Sequence, residues 1–120
     1  MTLSQGMTYA LAAALLALSA GEAIAPRTAA RGYGVPIPEG IDPTPYLEVK
    51  ANRDGVLAGF LVLAASASPS VRSSALLIGA IAPIADAWTV KRHGTTPGTV
   101  VHLGTAAYTI VAAALAASGH

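Results

Sequence analysis

The first 21 residues contain no Asp, Glu, Lys or Arg, and Met7 to Ala20 is almost unbroken Ala and Leu. About 20 apolar residues cross the roughly 30 Å hydrocarbon core of a bilayer, so a first membrane span is placed at Thr2 to about Ile24. A second opens near Lys50, reaches about Ser68 and is free of charge from Gly55 to Val71. A third covers about Val71 to Val90 with Asp86 inside it, and a fourth covers about Pro97 to Ser118 with His102 inside it. Ser68-Pro69-Ser70 separates spans two and three, and His93-Gly94-Thr95-Thr96-Pro97-Gly98 separates three and four, both with turn-forming composition. The expected fold class is all-α, an antiparallel four-helix transmembrane bundle with a long Pro-rich first loop, in one integral membrane domain over residues 1–120.

Composition supports that solvent. Charged residues make up 11% of the chain, where a soluble domain carries about 25%. A chain of 120 residues has a high surface-to-volume ratio and would need more polar side chains to cover it in water. The absence of Cys excludes disulfide frameworks, thiolate metal sites and thiol catalysis. A net charge of +1 without a basic run gives no electrostatic footprint for nucleic acid. Ala23-Ile24-Ala25 has the small-residue pattern of a signal-peptidase site, yet no Lys or Arg precedes Arg27 and Pro26 would follow the cut. The first span is therefore expected to be retained.

Lys and Arg accumulate in cytoplasmic loops. Arg27, Arg31, Lys50, Arg53, Lys91 and Arg92 fall on one side of the four spans and only Arg72 on the other. The expected location is the cell membrane, with both termini outside and the first and third loops cytoplasmic. Within the spans, small residues recur at helical spacing: Gly55 and Gly59, then Ala75, Gly79, Ala82 and Asp86, then His102, Thr105, Ala106, Thr109 and Ala113. Small residues let membrane helices approach closely, and the last two stripes each end in an ionisable residue, which should face the interior. Pro83 removes a backbone donor and crowds the carbonyl of Gly79, so a kink is expected there.

With alternating span directions, Glu22, Asn52, Arg53, Asp54, Asp86 and His102 come to one height near the cytoplasmic ends. Asp86 and His102 each lie roughly 6–7 Å inside those ends, at 1.5 Å rise per residue. Ionisable residues at membrane depth pair or serve a function. Glu22, Asp54 and Asp86 against Arg53 leave a net charge of −2 when His102 is neutral. Crowded carboxylates raise one another's pKa or hold a nearby His protonated. Asp86, His102, Asp54 and Arg53 are the expected catalytic residues. Glu22, Asn52, Tyr33 and Trp88 are the expected ligand contacts, with Trp88 also suited to an interfacial anchor. Asp54 also suits a structural role, complementing the dipole of span two and pairing with Lys50 at i,i+4. Ala25 to Leu47, with five prolines from Pro26 to Pro45 and the tyrosines Tyr33 and Tyr46, is long for a bundle connection and is placed to act as a lid.

Gly32-Tyr33-Gly34, Lys50-x-x-Arg53-Asp54-Gly55, Asp86 late in span three and His102 early in span four together resemble a family of small, functionally uncharacterised four-span integral membrane proteins. The resemblance implies the four-span fold and weight on Arg53, Asp54, Asp86 and His102, and it supplies no activity.

The leading functional expectation is acid/base chemistry on a lipophilic small molecule, of isomerase, cyclase or hydrolase type. The alternatives are a proton-coupled transporter working as a dimer, or a structural membrane subunit. Transporter sites tend toward the midplane, whereas these residues gather at one edge. The lipid bilayer and a lipophilic molecule are the expected partners, and a homodimer is one of two assemblies the sequence allows. No ligand spacing argues for a metal or cofactor.

Overall fold

The computed structural model describes residues 1–120. It is all-α, with six helices in the order α1 (Leu3–Ile24), α2 (Pro26–Tyr33), α3 (Thr44–Ser66), α4 (Pro69–Gly79), α5 (Ile81–His93) and α6 (Thr96–Ala117). The punctuation is local. Thr2 and Gln5 cap α1 reciprocally, the Thr2 hydroxyl accepting from Gln5 N at 3.3 Å and the Gln5 side chain accepting from Thr2 N at 2.8 Å, which satisfies two donors that a helix start leaves orphaned. Pro26 stands at the start of α2, Pro45 at that of α3, Pro69 at that of α4 and Pro97 at that of α6, where a missing N–H costs nothing. Asp42 fastens the start of α3, accepting from Thr44 N at 3.0 Å and Thr44 Oγ1 at 2.7 Å.

One feature corrects the reading from sequence and a second sharpens it. The first connection is not a loop throughout, because Pro26–Tyr33 forms α2 and ends at Gly34 with φ +96°. Span three is two helices, α4 and α5, divided at Ala80. The break follows from Pro83: with no N–H it cannot bond the carbonyl of Gly79, and the ladder parts at that carbonyl.

Helix α1 packs along α3, α6 packs on both α4 and α5, and α1 meets α6. The buried side chains are mostly small: Ala12, Ala58, Ala64, Ala65, Ala87, Ala106, Ala112, Ala113 and Ala116. Large apolar residues point outward, among them Leu16, Val56, Phe60, Leu63, Ile78, Ile81 and Val101. A water-soluble domain buries such residues, whereas helices in lipid associate through small ones. Three segments, Leu3–Ile24, Pro69–His93 and Thr96–Ala117, are long and apolar enough to cross a membrane. This marks the chain as a membrane protein. Helix α3 is long enough but carries Glu48, Lys50, Arg53 and Asp54 in its first half, so its uncharged stretch is only Gly55 to Ser66.

The small-residue stripes divide in role. A Cβ on Gly55 would lie 3.2 Å from Ser19 Oγ, so this glycine is a true α1–α3 contact, while Gly59 and Gly79 face open space. Ser19 strengthens the same contact by donating to the carbonyl of Ala51 at 2.8 Å.

The end opposite the charged layer is not purely apolar. Arg72, 3% exposed, donates to Ser4 Oγ at 2.9 Å and to the carbonyl of Ala67 at 2.9 Å. Ala67 is the C-cap of α3, so the guanidinium lies against the negative end of that helix dipole. The backbone N–H of Ser4 donates to His120 O at 3.1 Å, closing the same end.

Candidate functional site

At the other end, four helices deliver an alternating set of acids and bases. Lys50 projects from α3 into a buried position between α1 and its own next turn. Its ammonium pairs with Glu22 and, at 2.6 Å, with Asp54 Oδ2. All three side chains are less than a tenth exposed. Asp54 Oδ1 accepts from Arg53 Nε at 3.1 Å, and Arg53 Nη2 reaches Asp86 Oδ2 on α5 at 3.7 Å. Asp86 Oδ1 in turn accepts from the Tyr33 hydroxyl at 3.1 Å.

Tyr33 is the hub that the sequence did not single out as such. Its backbone carbonyl faces His102 Nε2 at 3.0 Å, its ring meets the His102 ring edge-on at 4.8 Å, and Lys50 Nζ stands 5.3 Å from its ring centroid. The expected pairing of Asp86 with His102 is therefore indirect. No hydrogen bond joins them; Asp86 holds the side chain of Tyr33 and His102 holds its backbone. Helix α2 makes the difference by hanging Tyr33 between α5 and α6. Burial and the adjacent Asp86 charge push the Tyr33 phenol above its ordinary range, so it stays a hydrogen-bond donor.

A carbonyl oxygen can only accept, so His102 Nε2 carries the proton in that contact. In the neutral imidazole Nδ1 is then the basic nitrogen, and no protein group bonds to it.

Tyr33 is positioned by glycine. A Cβ on Gly34 would lie 2.8 Å from the Cα of Gly98, and one on Gly94 would collide with the carbonyl of Gly34. This approach lets Thr95 N donate to Gly34 O at 2.9 Å. The backbone after α2 is thereby clasped to the α5–α6 turn.

Beneath the charged layer lies a cavity of about 480 Å³. Glu22, Tyr33, Lys50, Arg53, Asp54, Asp86 and His102 line its polar end, and Leu11, Leu15, Leu57, Phe60, Leu61 and Ile78 its apolar walls. The stripe Ala75, Gly79 and Ala82 also faces this space, so small residues here make room instead of closing a helix contact. Of the expected ligand contacts, Asn52 and Trp88 do not line it. Both lie on exposed surface, Trp88 at 61% exposure, because each projects from the outward face of its helix. Lys50 was missed as a member of the layer. Its signal was the i,i+4 spacing to Asp54, but the partner on α1 is a tertiary fact. Counting Lys50, the layer carries Glu22, Asp54 and Asp86 against Lys50 and Arg53, a net charge of −1 with His102 neutral, not −2.

The fold and site together define a small all-helical membrane protein with membrane-length helices around a polar-ended cavity. The chain belongs to the family described as Domain of unknown function (DUF4267), whose model matches residues 12–116. No curated protein and no solved structure matches it significantly.

Proposed function

We propose that the chain is a four-span membrane protein whose bundle binds a lipophilic small molecule and moves a proton on it, in the manner of an isomerase. The observation that carries the reading is a cavity that runs from apolar walls to an end holding His102, Asp86 and Tyr33. Such a cavity lies within the 300–1,000 Å³ range of small-molecule sites.

Helix α3 is read as the fourth span. It packs along α1, and its buried Lys50 and Asp54 face the interior, where they pair as charges at membrane depth must. The excess of Lys and Arg at the polar end supports a cytoplasmic location for that end in the cell membrane. Because the chain has no Cys, single cysteines at Gly40 and Ser118 report sidedness directly. Labelling of Gly40→Cys from outside intact cells would overturn the orientation.

Chemically, His102 Nδ1 removes a proton from carbon, and the resulting N–H returns it to a second carbon of the same molecule. Atoms and charge balance without a co-reactant. The Tyr33 carbonyl steadies the imidazolium through Nε2, and Asp86 lends negative charge one residue away. Arg53 holds Asp54 and Asp86 in place and Tyr33 shields the end from water. The test is incubation of reconstituted protein with a membrane lipid extract in D₂O, followed by mass spectrometry. Solvent deuterium should enter a lipophilic compound with the native protein and not with the folded His102→Gln variant. Equal incorporation by both, or by neither, would overturn the acid/base reading.

A further inference from the structure

The cavity has a side opening. Phe60 on α3 and Ile78 on α4 line it and yet are 64% and 70% exposed, so they stand at its rim. Helices α3 and α5 do not pack on each other along their length; the Arg53–Asp86 contact bridges them at the polar end, and α3 meets α4 toward the other. Between these two links the wall is a slit edged by apolar side chains. A slit on the greasy flank of a membrane protein admits molecules dissolved in the hydrocarbon.

Its length is legible in the helices. The lining residues run from Glu22 to Leu11 on α1, from Lys50 to Ala64 on α3 and from Asp86 to Ala75 across α5 and α4. The α1 and α4–α5 stretches rise about 16 Å and the α3 stretch about 21 Å, and the shorter length is enough for an extended chain of roughly a dozen carbons.

The polar end discriminates by charge and by hydrogen-bond sense. Its buried donors are engaged: Lys50 contacts Glu22, Asp54 and the Tyr33 ring, and Tyr33 OH donates to Asp86, while the half-exposed Arg53 gives Nε to Asp54 and stands 3.7 Å from Asp86. Three of its acceptors are not. Glu22 Oε2 is buried without a hydrogen-bond partner, His102 Nδ1 has no protein partner, and Asp86 Oδ2 is held only at 3.7 Å. An anionic head would meet three carboxylates against two cations, of which Lys50 is buried in its pairs with Glu22 and Asp54, and like charges at such range repel.

Resting on the reading of a lipophilic substrate, we propose that the cavity takes a single-chain amphiphile of about a dozen carbons, with a non-anionic, hydrogen-bond-donating head, entering sideways from the bilayer between α3 and α4–α5. The head sits against Asp86 and Glu22, leaving His102 Nδ1 to the adjoining carbon, and the tail reaches Leu11, Ala64 and Ala75.

Photo-crosslinking tests it. The full chain in phosphatidylcholine nanodiscs is exposed to trace dodecylamine, dodecanol or dodecyl sulfonate, each with a diazirine near the tail end, and adducts are mapped by mass spectrometry. The amine and the alcohol should label residues around Leu11, Ala64 and Ala75 at least tenfold more than the sulfonate does. Gly79→Leu supplies the control. A Cβ at Gly79 meets nothing within 4 Å and the residue lines the cavity, so the leucine side chain starts into open cavity space. That variant should retain its helical circular dichroism and lose the cavity adducts tenfold or more. Equal cavity labelling by all three probes, abolished in Gly79→Leu, would overturn the head specificity while leaving a lipophilic site. Adducts confined to outward residues such as Leu103 and Val111 would overturn both this inference and the lipophilic substrate.

Discussion

Gly98→Ala probes the clasp that holds Tyr33 in the site. The new Cβ would lie 2.8 Å from the Cα of Gly34, 2.9 Å from Val90 Cγ1 and 3.1 Å from Thr95 Oγ1. The nearest of these is backbone and cannot rotate away. Overpacking of this kind costs about 1–3 kcal/mol. The opposing term is helix propensity, where alanine gains up to about 1 kcal/mol over glycine in a helix interior and less at the third residue of α6. The chain also has an escape: the clasp can open, giving up the Thr95–Gly34 and His102–Tyr33 hydrogen bonds at about 1 kcal/mol each. The net loss is therefore capped at about 2 kcal/mol by that route, and it should appear as release of Tyr33. Gly104→Ala is the matched control on the same helix, since a Cβ there meets nothing within 4 Å. It should be neutral or gain up to about 1 kcal/mol. The assay is unfolding in mixed detergent micelles followed by Trp88 fluorescence, with hydrogen exchange at the Thr95 amide as the local readout. If Gly98→Ala were as stable as Gly104→Ala and kept Thr95 protected, the close backbone approach would not exist and the reasoning would fail.

Lys50→Met should destabilise by about 3–5 kcal/mol, because it strands two buried carboxylates without their cation; adding Glu22→Gln and Asp54→Asn should recover most of the loss in the same unfolding assay, and a single-variant loss below about 1 kcal/mol would show the triad to be energetically idle. Spectrophotometric titration should give the same phenolate rise for the native chain and Tyr33→Phe up to about pH 11, past the ordinary tyrosine value, because burial and Asp86 keep Tyr33 protonated. A smaller rise in the variant would contradict the Tyr33–Asp86 contact. Asp42, whose carboxylate accepts from Thr44 Oγ1 and Thr44 N, is held below the ordinary aspartate value. Its contribution to the start of α3 is thus present above about pH 3.9 and fades as pH falls through its lowered value. Carbonyl chemical shifts across that range should titrate later for Asp42 than for an unfolded reference peptide, and an unshifted midpoint would remove the Thr44 contact.

Much of the site was legible because membrane depth is one-dimensional. Counting residues along alternating spans brings Glu22, Asp54, Asp86 and His102 to a common end, and all four line one cavity. Pro83 announced the break between α4 and α5 for an equally local reason, the missing N–H. Azimuth was harder. Asn52 and Trp88 share the right height but face outward, and nothing in their immediate neighbours distinguishes them from inward residues.

The sequence by itself determined the apolar character of the long helices and the end at which the charged layer gathers, since length, apolarity and capping act within a few turns of one chain; the short helix Pro26–Tyr33 lay outside that reading. Tertiary structure alone decided that Tyr33 stands between Asp86 and His102, that Lys50 finds Glu22 on another helix, and that Ala75 and Gly79 border space instead of a neighbour. Those outcomes depend on rotation about helix axes and on the Gly34–Gly98 approach, set by packing among residues far apart in the chain.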